Sequence, residues 1–245
     1  MFRASLSLIL FCSSPALAEG EAKAPGPVAT LALALRLYDQ AEGQGDALGM
    51  AVAARLAATI RQREASHWER QSGNYAGPVL HGQGAAGLRA TPDLLTSGAA
   101  WSGALLMAEE DEALSDLLYE LPPPVLRGGV SQMAAELKPG REDRWSLPFA
   151  GQSPAEIAVF ATGTESDAPQ SDAGTNDAGV NDTGAGGTLL WAVEDGAGGV
   201  LCPIRPVAAN VCSFTPAENG FYEVVIANAA GDSAARAGAY LLVAN

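Results

Sequence analysis

The chain contains two histidines, the side chains best suited to acid–base chemistry near neutral pH, and neither lies in a recognisable catalytic pattern. His67 directly precedes Trp68 near the predicted end of a helix, where an imidazolium interacts favourably with the helix C-terminus. His81 lies in a Gly-rich segment without a catalytic companion. The sequence also lacks the HExxH and GxSxG motifs. These observations lean away from an enzymatic function.

A run of four acidic residues, Glu109 to Glu112, offers the alternative of paired carboxylates. A general acid–base pair needs burial to separate the two pKa values, whereas a polar turn between helices leaves its carboxylates solvated. We favour the solvated turn. The alternative that stays open is a periplasmic hydrolase with its site around His81 and Glu109.

Aspartates recur every five residues in a Gly/Asn-rich stretch, and two further carboxylates follow the next apolar run. The candidate calcium ligands are Asp172, Asp177, Asp182, Glu194 and Asp195. Calcium loops place their ligands at every second residue around a tight turn, which a spacing of five does not reproduce. We therefore expect a disordered Asp/Gly/Asn-rich loop at 164–187 and no cofactor, with a calcium-stabilised secreted module as a further alternative.

The chain of 245 residues carries a net charge of −14, and only Arg205 and Arg236 follow Arg144. Such an acidic surface is repelled by phosphate backbones, so nucleic acid is not an expected partner. No apolar run after the first eighteen residues approaches the roughly 20 residues that a membrane span needs. We expect a partner that is a protein or a cell-surface component.

The first residues have the pattern of a secretory signal peptide. Arg3 precedes an apolar run at 6–11, and Ala16-Leu17-Ala18 forms a small-x-small cleavage site. Cleavage after Ala18 predicts a periplasmic or extracellular protein. It removes Cys12 and leaves Cys202 and Cys212, which predict one disulfide in an oxidising compartment. A metal pair is the competing interpretation, but no histidine lies nearby to complete a ligand set.

Residues 28–124 show helical periodicity after a mobile lead-in at 19–27. Asp46 is a good N-cap for a second helix, whose predicted apolar side carries Leu48, Val52, Leu56 and Ile60 and which is expected to end before Gly73. Thr91 before Pro92 predicts another helix start, and a last helix is expected over 113–121. These elements predict antiparallel α-helical hairpins.

From Gly128 the hydrophobic period changes to two, which is typical of strands. Strands are predicted around Trp145 and over 155–162, 189–193, 200–202, 210–215, 221–227 and 240–243. Gly, Pro and Asn separate these runs at the spacing of an antiparallel sandwich. The predicted fold class is therefore α+β in two domains, helical at 28–124 and β at 128–245.

Three motifs of the β region resemble the bacterial pre-peptidase C-terminal (PPC-like) domain family. Leu137-Lys138-Pro139-Gly140 leading to Trp145 is similar to that family's turn into an aromatic strand. Phe214-Thr215-Pro216 with residues 219–225 is similar to its hairpin, and residues 239–243 to its closing strand. The resemblance covers about 128–245 and implies a jelly-roll-like β-sandwich that serves exported proteins in attachment or secretion, sometimes binds calcium and is not catalytic. The family's aspartates before the strand at 189–193 are replaced by Gly186-Gly187-Thr188.

The sequence thus predicts an exported, non-catalytic binding or accessory protein. Its β-sandwich would serve attachment or secretion, and its helical part would offer a surface to a partner.

Overall fold

A computed structural model describes residues 24–77, 90–162, 189–208, 210–229 and 237–245. Its helices are α1 (Pro27–Gln44), α2 (Ala47–Ala57), α3 (Pro92–Thr96), α4 (Ala99–Met107) and α5 (Glu112–Glu120). Its strands are β1 (Ile60–Glu64), β2 (Glu69–Asn74), β3 (Gly128–Leu137), β4 (Arg141–Phe149), β5 (Ala155–Ala161), β6 (Leu189–Glu194), β7 (Val200–Pro206), β8 (Val211–Phe214), β9 (Gly220–Asn228) and β10 (Gly238–Ala244). The α+β fold class is confirmed.

The helix boundaries follow from local capping chemistry. The side chain of Asp46 accepts a hydrogen bond from the amide of Gly49, as predicted, and Thr91 and Asp111 cap α3 and α5 in the same way. Helix α1 ends at Gly45, which has a φ of 68° in the left-handed region that glycine adopts without strain. Gly98, with a φ of 87°, separates α3 from α4.

The strands form two five-stranded sheets. The first sheet has the order β1-β3-β10-β5-β8, and the second has the order β2-β4-β9-β6-β7. Neighbouring strands are antiparallel except β1 and β3, which pair in parallel with Ile60 opposite Gly128. The two sheets face each other across a shared core that includes Leu147, Ile157, Trp191 and Tyr240, and we call this pair of sheets the sandwich.

A second core joins the helices to the outer face of the first sheet. On β5, Ile157 and Val159 point into the sandwich, whereas Ala158 and Phe160 contact the helical core. This alternation follows from the two-residue period of a strand. Because both faces of the first sheet are covered, helices and sheets form three layers that share the first sheet, rather than two clearly separate domains.

The prediction for the second helix is wrong beyond Ala57. Residues predicted to continue it form β1 and β2, the edge strands of the two sheets. Its predicted apolar side is also only partly buried, because the helix turns small residues such as Ala51 and Ala54 inwards and leaves Leu48 and Val52 exposed. Small side chains let α1 and α2 approach closely, which explains the choice of face.

The predicted strands are confirmed from β3 to β10. β7 runs to Pro206, beyond its predicted end at 202, and the other strands with predicted bounds differ from them by one or two residues at each end. Trp145 and Trp191 are buried in the sandwich, while Trp101 packs partly buried against the helical core. Within the described part of the chain, no helix is both long and apolar enough to cross a membrane.

Candidate functional site

A cleft of about 370 Å³ opens at the end of the sandwich where the chain crosses from β1 to β2. Its walls are residues 63–68 together with Ser131 on β3, Pro148 and Phe149 on β4, and Ala244 and Asn245 at the end of β10. Both sheets therefore contribute to it. We call this feature the end cleft.

The crossing segment lines one side of the end cleft because its backbone is tied to the first sheet. The amide of Ala65 donates to the carbonyl of Gln132 at 2.9 Å, and the Ala65 side chain is buried. Ser66 and His67 are exposed, while Trp68 is half-buried and packs against the core of the sandwich. His67 was expected at the end of a helix, and that prediction is wrong because the helix has already ended at Ala57.

The polar groups of the end cleft are partly fixed by hydrogen bonds. Arg63 Nε donates to Ser131 Oγ at 3.1 Å, and no carboxylate of the described residues forms an ion pair with its guanidinium. The side-chain oxygen of Asn245 accepts from the amide of Glu156 at 2.7 Å, and the amide of Asn245 donates to the Glu156 carbonyl at 3.2 Å. The cleft thus offers donors and acceptors at defined positions.

An aromatic cluster supports the cleft wall at Phe149. The Phe149 ring stands edge-to-face against Phe214 at 5.5 Å and against Tyr222 at 5.8 Å between centroids. These contacts connect strands of both sheets and restrict the orientation of the Phe149 ring. A ring held in this way needs little reordering when a ligand packs against it.

Inside the sandwich, Asp143 forms a buried hydrogen-bond network. The fully buried carboxylate accepts from Arg70 at 2.7 Å, from Tyr240 at 2.6 Å and from Ser72, while Trp145 donates to the Tyr240 hydroxyl oxygen at 2.7 Å. Burial and the hydrogen bond to Asp143 raise the pKa of Tyr240. Burial lowers the pKa of Arg70, but the hydrogen bond to Asp143 and the electrostatic attraction of Tyr240 and Asp143 together outweigh burial, and the pKa of Arg70 is raised.

This network binds the edge strand β2 to the sandwich rather than forming an open site. Arg70 lies on β2 with 35% of its side chain exposed, whereas the carboxylate that it contacts has no accessible surface. A charge buried without a partner would be strongly unfavourable, so the ion pair needs β2 in place. We interpret the network as structural.

The two described calcium candidates, Glu194 and Asp195, lie at the end of β6. Glu194 forms an ion pair with Arg144 at 3.4 Å, and Asp195 Oδ1 accepts from the amides of Ala197 and Gly199. Among the residues that the structure describes, no group of three or more His, Cys, Asp or Glu side chains could hold a metal ion. Asp172, Asp177 and Asp182, together with the loop at 164–187, lie outside the described residues.

The predicted disulfide between Cys202 and Cys212 is confirmed, with the two Cα atoms 6.1 Å apart. Cys202 lies on β7 in the second sheet, and Cys212 lies on β8 in the first sheet. These strands follow one another in sequence but belong to different sheets. The bond therefore fastens one edge of the sandwich.

The structure describes only one of the two residues of the hydrolase alternative. Glu109 is exposed in the turn between α4 and α5, and His81 lies outside the described residues, as does the predicted signal peptide at 1–18. The end cleft was missed from the sequence because its polar and aromatic residues are spread over four strands. The adjacent His67 and Trp68, in a stretch rich in polar residues, were the available signal.

Fold and site together define an α+β protein with a two-sheet sandwich, a covering helical layer and an open cleft at one end. No protein-family model matches the chain, and no curated protein matches it either. The resemblance to the PPC-like family stays a prediction from the sequence.

Proposed function

We propose that this chain is an exported, non-catalytic binding protein whose helical layer offers a surface to a protein partner and whose sandwich serves attachment or secretion. The single observation that carries the proposal is a set of exposed large apolar side chains on α2, α4 and α5 and just after α5. Its members are Leu48, Val52, Leu106, Met107, Leu117, Tyr119, Val125 and Leu126. We call this set the helical apolar surface.

Three of these residues, two on helices and one just after α5, are largely exposed. Leu106, Tyr119 and Val125 are 75%, 71% and 72% exposed. Single exposed apolar residues are ordinary on a protein surface, but a concentration of them is typical of an interaction site. Leu48 and Val52, one helical turn apart on α2, follow the pattern that ordinarily marks a buried face.

The charge of the region around the helical apolar surface indicates which kind of protein can bind there. Between residues 99 and 126 the chain has six acidic side chains and no basic one. Interfaces combine an apolar centre with a polar rim of complementary charge. The partner that fits is a protein with an apolar patch and a basic rim.

The proposal also includes export to an oxidising compartment and a PPC-like β-sandwich. The disulfide supports an oxidising compartment, in keeping with the predicted export. We also propose that residues 128–245 form a PPC-like, jelly-roll-like domain. The two facing sheets support this proposal. We further propose that α1 to α5 are arranged as helical hairpins on the outer face of the first sheet.

The experiment is a comparative pull-down from a periplasmic extract with the protein lacking its first eighteen residues. The test variant carries Leu106→Ser, Tyr119→Ser and Val125→Ser. The control variant carries Val200→Ser, Ile204→Ser and Phe221→Ser, which replace apolar side chains that are 62%, 57% and 61% exposed but lie on strands β7 and β9. Circular dichroism and unfolding curves verify that both variants are folded.

We expect one protein to be captured saturably by the parent and the control, to be lost with the test variant, and to bind more weakly as salt rises. Equal capture by the test variant, or no saturable partner, would overturn the proposal.

A further inference from the structure

We propose that the end cleft binds an uncharged saccharide segment. The inference deepens the attachment role in the proposed function and rests on it, but it depends on different residues from those of the helical apolar surface. The cleft volume of about 370 Å³ lies near the lower end of the roughly 300–1,000 Å³ range of small-molecule sites. A short stretch of a chain whose ends project into solvent fits an open cleft of this kind.

The side chains of the cleft match the two chemical features of a sugar ring. A sugar presents an apolar C–H face, and Trp68 and Phe149 supply aromatic surface for such a face. Its rim carries hydroxyl groups that both donate and accept hydrogen bonds. Arg63 supplies donors only, Glu64 supplies acceptors only, and His67 can supply one of each when neutral.

The charges in the cleft favour an uncharged ligand. Arg63 and Glu64 lie on one strand with opposite charges, so the cleft has no dominant sign. The whole chain, with a net charge of −14, repels anions over longer distances. An anionic ligand would meet both the long-range repulsion and the nearby Glu64 carboxylate.

The same residues favour binding over cleavage. Most glycoside hydrolases use two carboxylic acid side chains on opposite sides of the scissile bond. Glu64 is the single acidic side chain among the described residues that line the cleft. The cleft can therefore hold a saccharide by stacking and hydrogen bonds without providing that pair.

Several side chains of the end cleft are held in place by contacts within the protein, so the cleft is preorganised for a ligand. Phe149 is held by two edge-to-face contacts, Arg63 by Ser131 and Asn245 by the backbone of β5. Side chains that are already ordered lose little entropy on binding.

The test is isothermal titration calorimetry of the protein lacking its first eighteen residues against cellohexaose, xylohexaose, laminarihexaose, maltohexaose and chitohexaose. The variant is Arg63→Ala, and the matched control is Arg61→Ala, which removes an exposed arginine two residues earlier on the same strand but outside the cleft wall. Trp68→Leu is a second variant, checked by circular dichroism because Trp68 also packs against the core.

We expect at least one oligosaccharide to bind, with Kd raised about tenfold or more by Arg63→Ala, as for the loss of a hydrogen bond to a charged group, and unchanged by Arg61→Ala. A folded Trp68→Leu protein is expected to lose binding as well. Absence of binding to all five oligosaccharides, or binding that Arg63→Ala leaves unchanged, overturns the inference. A decaproline peptide is titrated in parallel. If this peptide binds and none of the five oligosaccharides does, the end cleft is a peptide site and the inference is overturned.

The outcomes separate this inference from the proposed partner surface. If no oligosaccharide binds while the helical variant loses its captured protein, the saccharide site is wrong and the partner surface stands. If the reverse pattern is found, the partner surface is wrong and attachment through the sandwich stands.

Discussion

The carboxylate of Glu156 on β5 caps the first turn of α1, accepting hydrogen bonds from the amides of Gly26 at 3.1 Å and Ala29 at 3.0 Å. Gly26 itself provides no side-chain cap, so a residue 130 positions away satisfies two of the free amides of this helix. A Cβ atom at Gly26 would lie 2.4 Å from the Glu156 carboxylate. Glycine at this position therefore permits the contact that joins the helical layer to the first sheet.

Replacement of Glu156 by Gln is expected to lower the free energy of unfolding by about 1–2 kcal/mol, because the amide has one accepting oxygen where the carboxylate has two. Urea unfolding followed by circular dichroism measures the change. Glu120→Gln, on the exposed end of α5, is the control and should stay within about 0.5 kcal/mol of the parent. Equal stability of Glu156→Gln and the parent would contradict the capping role.

Gly26→Ala tests the same contact from the other side. The new methyl group has to displace the Glu156 carboxylate, so we expect a loss of at least about 1 kcal/mol. In the Glu156→Ala background the substitution should cost less, since the carboxylate is gone. A double-mutant cycle of unfolding free energies measures this coupling, and additive effects would argue against it.

Reduction of the Cys202–Cys212 bond is expected to lower the free energy of unfolding by about 2–3 kcal/mol, the chain-entropy value for a loop closed at a sequence separation of 10. Urea unfolding with and without dithiothreitol measures the loss. The Cys202→Ala, Cys212→Ala double variant is the control, because its stability should not respond to reductant. Insensitivity of the parent to reductant would show that the bond does not hold the two sheet edges together.

Removal of Arg70 leaves the buried Asp143 carboxylate without its cation. We expect Arg70→Ala to cost roughly 3 kcal/mol, at the lower end of the range for breaking a buried pair because Arg70 is 35% exposed. Arg61→Ala on β1, without an ion pair among the described residues, serves as the control. A loss no larger than that of the control, measured by urea unfolding, would mean that β2 is held by its backbone pairing alone.

The raised pKa of Tyr240 makes the free energy of unfolding depend on pH in the alkaline range. Burial and the hydrogen bond to Asp143 raise its pKa above the ordinary 10.0, so the folded protein keeps a proton that the unfolded chain releases. The resulting stability is complete below about pH 10 and is lost as the pH rises above that value, with a slope of up to about 1.4 kcal/mol per pH unit.

In Tyr240→Phe this contribution disappears, so the difference in unfolding free energy between parent and variant should shrink from pH 9 to pH 11. The pKa of Tyr38 is also raised, by burial and then by Glu42 and Asp39, but that effect is common to both proteins and cancels. A difference that stays constant over this range would contradict the shift at Tyr240.

Much of the fold could be predicted from the sequence where local and tertiary preferences agree. The strands from β3 to β10 alternate or run apolar between Gly, Pro and Asn, and caps such as Asp46 and Thr91 act within three residues of their own position. The edge strands β1 and β2 could not be predicted in this way. Their sequences are polar, and their pairing with β3 and β4 depends on residues about 70 positions away.

The end cleft and the buried network depend still more on tertiary structure. Arg63 and Ser131 are 68 residues apart, and Asp143 and Tyr240 are 97 apart. No local pattern records such contacts, because they exist only once the register of the sheets has brought the strands together.

The sequence by itself determined the α+β class, most strand positions and the cysteine pair, since these follow from hydrophobic period, turn residues and composition. Only the tertiary structure decided that the first sheet is shared by the helices and the sandwich, that the disulfide fastens the two sheets, and that Arg63, Trp68 and Phe149 line one cleft. The physical reason is that packing places two residues in contact by register and burial, whatever their separation along the chain.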